Sequence, residues 1–586
     1  MFASLKLGLI ARYLRPQRKQ LLRGALALLV VNLLGTTLPL LVQRTVNSLK
    51  PGFSLGDLLH QALWIALLAS AMAGVRLWSR VLVFGAGRQV EILLRQRIFD
   101  HLLKQEPGWV QTAGSGEVIS RSTSDVENVR RLLGFAVLSL ANTALAYAFT
   151  LPAMLAIDPW LSLAAIILYP LMLVVVGASG GRMMSQQRQQ QQNLAQLSDL
   201  IQEDLSGISA IKIYGQEPTE VGAFASLSKR YRDAAIALAR TRSTLFPLLE
   251  GISSLSLLVL LALGSGQLER GSLTLGGLIA LILYIERLVF PTALLGFTLS
   301  SFQTGQVSLE RVEDLLSREA SIQDPIRADE LQENSTGASI EARDLCVRYP
   351  GAGKNSLNKL SFCVKPGELV AVVGPVGSGK TTLARALGRM LEVPSGQLFI
   401  NGQDITCLKL ADLRKQIAMV PQEGYLFSAT LAENLCYGDP NAEIVQLERV
   451  VQQAQLKADV ESFPDRYQTL VGERGITLSG GQRQRSSLAR ALLVDAPLLV
   501  LDDALASVDN RTAAAILQSL TIDLHRTVLF ISHQLSAAAA CDRVLVIVDG
   551  QLVQEGTHRE LVGQEGTYRR LWEREKASTD LEVAAR

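Results

Sequence analysis

Leu369-Val370-Ala371-Val372-Val373-Gly374-Pro375-Val376-Gly377-Ser378-Gly379-Lys380-Thr381-Thr382-Leu383-Ala384-Arg385-Ala386-Leu387 joins three local structures in immediate succession. The unbroken apolar run 369–373 reads as a buried strand. Glycines at 374, 377 and 379 read as a tight loop, and 382–387 as a helix start. Strand, glycine loop and helix, with Lys380 and Thr381 closing the loop, form the context of a phosphate-binding P-loop. The glycines let several backbone N–H groups point at one phosphate, and the helix N-terminus adds partial positive charge. Lys380 is expected to reach the β- and γ-phosphates of a nucleotide, and the Thr381 hydroxyl to ligate Mg²⁺.

Downstream, strand and helix signals alternate. Val420-Pro421-Gln422 follows a short apolar run. Leu478-Ser479-Gly480-Gly481-Gln482 opens a helix that is expected to end around Leu493. Leu498-Leu499-Val500-Leu501 is an apolar strand ending in Asp502-Asp503, and Thr527-Val528-Leu529-Phe530-Ile531 is another ending in Ser532-His533. The alternation implies an α/β domain with a largely parallel sheet. The acidic pair and the histidine fall at strand ends, where such sheets bind ligands.

The chain around this domain is a different material. It has 586 residues, too many for a single core. Hydrophobic residues make up 48% and mean hydropathy is +0.24, with the long uncharged runs in the first half. Six segments are long and apolar enough to cross a bilayer: 24–42, 58–84, 132–157, 160–181, 251–268 and 275–299. Basic residues set their direction. Lys6, Arg12, Arg15, Arg18, Lys19 and Arg23 precede the first span, and two long connections are rich in Arg and Lys. The opposite loops carry only Arg44, Lys50 and Arg270. The N-terminus, both long connections and the C-terminal domain are therefore expected on the cytoplasmic side, with no signal-peptide design. Both connections read as helical hairpins that extend the spans into water, the glutamine-rich stretch after 186 included. Charges inside spans are costly. Arg76, Glu286 and Arg287 are candidates for lining a polar cavity, whereas Arg80 reads as a side chain that reaches the interface.

A net charge of +3 gives no ground for nucleic acid as a partner. The five cysteines, Cys346, Cys363, Cys407, Cys436 and Cys541, match neither a zinc site nor a disulfide framework and suit a reducing compartment.

Together these residues resemble an ATP-binding cassette (ABC) transporter of the exporter type, over nearly the whole chain. The most specific element is Leu478-Ser479-Gly480-Gly481-Gln482, which matches the ABC signature in full. The resemblance implies a six-helix transmembrane domain at 1–307, a linker at 308–337, an α/β P-loop nucleotide-binding domain at 338–572 and a tail at 573–586. It implies ATP and Mg²⁺ as cofactors. Tyr349 would stack on adenine, and the loop Gly374, Pro375, Val376, Gly377, Ser378, Gly379, Lys380, Thr381 and Thr382 would hold the phosphates. Asp502, Thr381 and Gln422 would serve the metal, and His533 the γ-phosphate. Ser479, Gly480, Gly481 and Gln482 would reach the ATP of a second subunit, so the chain would work as a dimer. The stretches 116–121, 207–212 and 470–475 resemble those through which hairpins and nucleotide domains communicate in the family.

One position departs from the pattern. The family usually has Glu after the metal-binding Asp, to polarise the attacking water; here it is Asp503. Aspartate is one methylene shorter, and a misplacement of about 1 Å can cost about 10²-fold in rate. With an intact signature beside a weakened acid, the chain is expected to be one half of a heterodimer with unequal sites, a homodimer being the alternative. The expected function is ATP-driven export of a hydrophobic or amphipathic small molecule, lipid or peptide across the plasma (inner) membrane. The alternative is an ATP-gated channel or a regulatory subunit with little turnover.

Overall fold

The computed structural model describes residues 7–49, 55–331, 337–472, 475, 477–522 and 526–584. The chain divides into two compact units, Met1–Leu103 with Ala113–Arg318, and Lys104–Thr112 with Glu319–Arg586.

The first unit is helical. Its long helices are α1 (Arg18–Ser48), α2 (Leu55–Leu102), α3 (Val137–Ile157), α4 (Tyr169–Ser206), α5 (Glu217–Glu269) and α6 (Leu275–Ser317). Among the described residues, six helices are long and apolar enough to cross a membrane. At 1.5 Å per residue, the 53 residues of α5 span roughly 80 Å, far beyond a hydrocarbon core of about 30 Å. The surplus forms the hairpin legs, and the glutamine-rich stretch is continuous helix within α4. Helix α6 continues ten residues past the expected domain end at 307. Leu309, Val312 and Leu315 keep helical spacing there and are buried. Close helix approach relies on small residues. A Cβ on Gly276 or Gly305 would overlap Gln43 and Leu132 respectively. The leg of α2 carries a buried carboxylate, Glu91, held by Arg88 and Arg95 at 2.8 Å and by Arg130 at 3.5 Å. A buried charge persists only when paired in this way.

The second unit is α/β. A six-stranded sheet runs β12-β11-β3-β10-β9-β6, built from β3 (Leu369–Val373), β6 (Ile417–Val420), β9 (Leu498–Asp502), β10 (Thr527–Ile531), β11 (Arg543–Val548) and β12 (Gln551–Gly556). Only the β11–β12 pair at one edge is antiparallel. Both faces are covered, which explains the unbroken apolar strands. Leu369, Ala371 and Val373 enter one core with Leu499, Leu501 and Phe530, while Val370 and Val372 enter another with Leu498, Val500 and Leu529. A second, antiparallel sheet, β2-β1-β4-β5, uses β1 (Ile340–Val347), β2 (Leu357–Val364), β4 (Leu398–Ile400) and β5 (Gln403–Asp404). The short strands β7 (Ala429–Thr430) and β8 (Leu470–Val471) pair separately. Lys104–Thr112 belongs to this unit, where Glu106 Oε1 accepts hydrogen bonds from the Ile322 N–H at 3.0 Å and from Ser321. The fold is thus six membrane-length helices and a P-loop α/β domain.

Candidate functional site

Strand register assembles the nucleotide site. Ile531 pairs with Asp502 on one side and with Val372 on the other, and Val420 pairs with Leu501. The carboxyl ends of four strands thus lie in one row, with Gln422, Asp502, Asp503 and His533 just beyond them. They line a cavity of about 220 Å³ together with Val376, Gly377, Ser378, Gly379, Lys380, Thr381 and Thr382. Thr381 and Asp502, 121 positions apart in sequence, become neighbours because β3 and β9 both run parallel to β10 and end level with it. Ser356 also lines the cavity. It lies in a loop before β2, and nothing in the sequence marks it.

The loop is held open by its backbone. Gly377 and Gly379 have φ of +81° and +99°, where only glycine is unstrained. Their surroundings differ: a Cβ on Gly379 would lie 2.5 Å from the Ser356 carbonyl oxygen, whereas Gly377 faces open space. Gly377→Ala is therefore expected to cost only about 1–2 kcal/mol of backbone strain, measurable as a small rise in the ATP dissociation constant. Gly379→Ala adds a clash with main chain, so its ATP affinity should fall at least about 10-fold further. Equal losses at the two positions would show that Ser356 exerts no such constraint.

Lys380 is buried, and its Nζ donates to the carbonyls of Gly374 at 2.9 Å and Pro375 at 2.8 Å and to Ser378 Oγ at 3.3 Å. Burial pushes its pKa down, against the pull of Asp503 and Asp502. Thr381 Oγ1 donates to Asp502 Oδ1 at 3.1 Å. Asp502 is buried, and burial raises its pKa; the Thr381 hydroxyl opposes this and the Asp503 charge adds to it. His533 is pushed below its ordinary value by desolvation at the cavity wall and then by Lys380, with Asp503 opposing. Asp503 has φ of +51°, and its N–H donates to the Ile531 carbonyl at 2.9 Å.

The raised pKa of Asp502 is a stability statement. The folded state keeps its proton to higher pH than the unfolded state does, so the ionised carboxylate opposes folding above that folded value. Relief comes as pH falls through it. Asp502→Asn keeps the hydrogen-bond acceptor for Thr381 and removes the charge. The nucleotide-free variant should melt higher near pH 7, and the gap should narrow on acidification. A lower melting temperature at neutral pH contradicts this account.

Tyr349 lies beyond β1, with its hydroxyl 3.4 Å from Thr382 Oγ1 and outside the cavity lining. The signature residues are not in the lining either. They open α8 (Gly480–Leu493), far along the chain from α7 (Lys380–Leu387), the helix that follows the P-loop. Ser479 and Gln482 form a capping box: Ser479 Oγ accepts from Gln482 N–H at 3.2 Å, and Gln482 Oε1 from Ser479 N–H at 2.9 Å. Gln482 Nε2 donates to Asp459 at 3.0 Å, so that carboxamide is committed within its own domain. Ser479 is exposed. Glu473, Arg474 and Ile476, in and beside the 470–475 stretch, lie outside the described residues.

The helical unit holds a cavity of about 690 Å³ between α1, α2, α3 and α6. Arg76, Glu286 and Arg287 all line it. Arg80 lines it too, one turn from Arg76 on the same face. Among the described residues Glu286 and Arg287 form no ion pair. Arg287 Nη2 donates instead to the Asn32 carbonyl at 3.0 Å and to Asn32 Oδ1 at 3.3 Å. Polar Asn32 and Asn142, both lining the cavity inside apolar spans, were the unread signal for it.

Six membrane-length helices and a P-loop domain with acidic and histidine side chains on one sheet edge define a multi-pass membrane NTPase. The ABC transporter transmembrane region family matches residues 21–292, and the ABC transporter family matches 357–506. The chain belongs to the ABC transporters: it is an exporter-type chain with a membrane region fused to an ATP-binding domain, and an ATPase. It is 31% identical to the Bacillus subtilis (strain 168) protein named "Probable multidrug resistance ABC transporter ATP-binding/permease protein YheI", covering 95% of each chain. It is 30% identical to the multidrug resistance-like ATP-binding protein MdlA of Escherichia coli (strain K12), over 98% of this chain and 97% of that one. It is 31% identical to the ATP-dependent lipid A-core flippase of Paraburkholderia xenovorans (strain LB400), over 82% and 80%. A bacterial Atm1-family ABC exporter solved with ATP bound superposes with a TM-score of 0.78 at 26% identity, covering 95% of this chain and 98% of that one.

Proposed function

We propose that this chain is one half of a heterodimeric exporter that moves a hydrophobic or amphipathic compound across the plasma (inner) membrane by alternating access. The observation that carries the reading is the single cavity in which Lys380, Thr381, Gln422, Asp502, Asp503 and His533 converge. The N-terminus, hairpins and ATP-binding domain face the cytoplasm, as the excess of Arg and Lys in those segments requires.

Mg²⁺ fits the donors present. The Thr381 hydroxyl and the Asp502 carboxylate, 3.1 Å apart, are hard oxygen ligands. Among the described residues no three His, Cys, Asp or Glu side chains gather as a metal cage. That suits an ion that takes one or two carboxylates and completes its shell with phosphate oxygens and water. When bound, the ion would neutralise charge on the transferring phosphoryl group. Lys380 would turn from the Gly374 and Pro375 carbonyls to the phosphates. Asp503 would orient the attacking water from a shorter reach than a glutamate has. Ser479, Gly480 and Gly481 would serve the partner's ATP, with the backbone N–H groups at the start of α8 as donors. ATP binding would close the dimer and hydrolysis reopen it. The tip of the second hairpin, the helix Ile208–Tyr214, leaves Ile213 and Tyr214 exposed, as a docking element for a nucleotide domain would be.

The test is ATP-dependent uptake of hydrophobic dyes into inside-out vesicles containing this chain with its partner. Uptake that needs ATP hydrolysis supports export. ATP-dependent ion current without turnover overturns it in favour of a channel.

A further inference from the structure

We propose that the membrane cavity selects amphiphiles with an anionic head group, because its polar end carries three arginines against one glutamate and its apolar end is aromatic. The proposal rests on the export reading only in taking this cavity as a substrate site. Arg76, Arg80 and Arg287 contribute the cations, and among the described residues Glu286 is the one acidic residue in the lining. Phe84, Phe135, Phe290 and Phe297 supply apolar wall, with the Phe135 and Phe297 rings packed edge to face at 5.5 Å. At about 690 Å³ the space lies within the roughly 300–1,000 Å³ of sites for drug-sized ligands.

Arg287 sits roughly 18 Å along α6 from its start at Leu275, near the middle of a hydrocarbon core of about 30 Å. A guanidinium at that depth needs an anion, a polar cage or water. It has no carboxylate partner among the described residues. Its Nη2 rests on Asn32, and its Nη1 is buried without an acceptor. Gly35 makes the room: a Cβ there would overlap Nη1 and Cζ of Arg287. The position of the charge is therefore held by packing and by neutral hydrogen bonds, neither of which cancels it. Among the described residues Arg76 offers its Nη2 only to the Met72 sulfur, at 3.7 Å. Among the described residues neither cation has an ion pair; Arg287 is half-buried and Arg76 exposed, and together they attract a phosphate, sulfate or carboxylate head and repel an ammonium. The phenylalanines accept the tail.

The test uses the purified dimer in nanodiscs of zwitterionic lipid, without nucleotide, and probes that share one tail: dodecyl phosphate, dodecyl maltoside and dodecyltrimethylammonium. Titration calorimetry should show dodecyl phosphate binding at least about 10-fold tighter than the ammonium compound, the difference expected of one charge-assisted contact. Inorganic phosphate should not compete at the same concentrations. Arg76→Gln combined with Arg287→Gln should remove at least about 10-fold of dodecyl phosphate affinity and leave dodecyl maltoside within about 2-fold. Equal binding of the three probes by the unmodified protein overturns the proposal whether or not the variant folds. Competition by inorganic phosphate overturns the amphiphile part, and an unchanged preference in the double variant overturns the assignment to these arginines. Because no ATP is present, a failure of transport in vesicles would reject export without touching the binding result.

Discussion

Asp503→Glu is expected to raise the ATPase rate of this chain, purified by itself and reconstituted, by about 10- to 100-fold. The extra methylene returns the carboxylate to the distance that the family's usual glutamate has from the attacking water, and a misplacement of about 1 Å costs about that much. The backbone sets a counter-effect. Asp503 stands at φ +51°, a left-handed conformation that short Asp and Asn side chains tolerate better than longer ones. The variant should therefore melt slightly lower while it turns over faster. Comparison of steady-state ATPase and melting temperature for the two proteins checks both halves. Fast turnover by the unmodified chain alone would remove the reason for a heterodimer.

The second large effect concerns the assembled dimer. Gly481→Asp should lower its ATPase at least about 100-fold, since loss of preorganised donors facing phosphate costs about 2.7–4 kcal/mol. Geometry adds to this: a Cβ at 481 would lie 2.9 Å from the Ser507 carbonyl, so the start of α8 must shift. A carboxylate there also sets negative charge against phosphate. Asp503→Asn in the same dimer should change the rate less than about 3-fold, because in the proposed heterodimer this acid serves the slower site. The two variants together separate the arrangements. If Asp503→Asn is as damaging as Gly481→Asp, both sites turn over and the chain works as an equal partner.

Much of the nucleotide site was legible because its chemistry is local. The P-loop is one continuous stretch, and Gly377 and Gly379 advertise φ values that other residues rarely take. Asp502 and His533 could be placed at strand ends because both strands are unbroken apolar runs. The spans were equally plain, since twenty apolar residues in a row have few other readings. What stayed hidden depended on partners far apart in sequence. Ser356 enters the site only because it passes Gly379. Arg80 joins the cavity only because α2 turns the same face to α3 and α6. Glu286 and Arg287 are adjacent in sequence, yet Arg287 is held by Asn32 from another helix.

The sequence by itself determined the two kinds of domain, the phosphate loop, the signature and the shortened acid at 503. Each is a property of residue type and short spacing. Only the tertiary structure decided which side chains share a cavity. Strand register aligns Val372, Asp502 and Ile531 on one edge, and helix packing gathers three arginines around one pocket. Spacing along a chain carries no record of those distances, because they arise from burial of both sheet faces and from close helix contact at small residues.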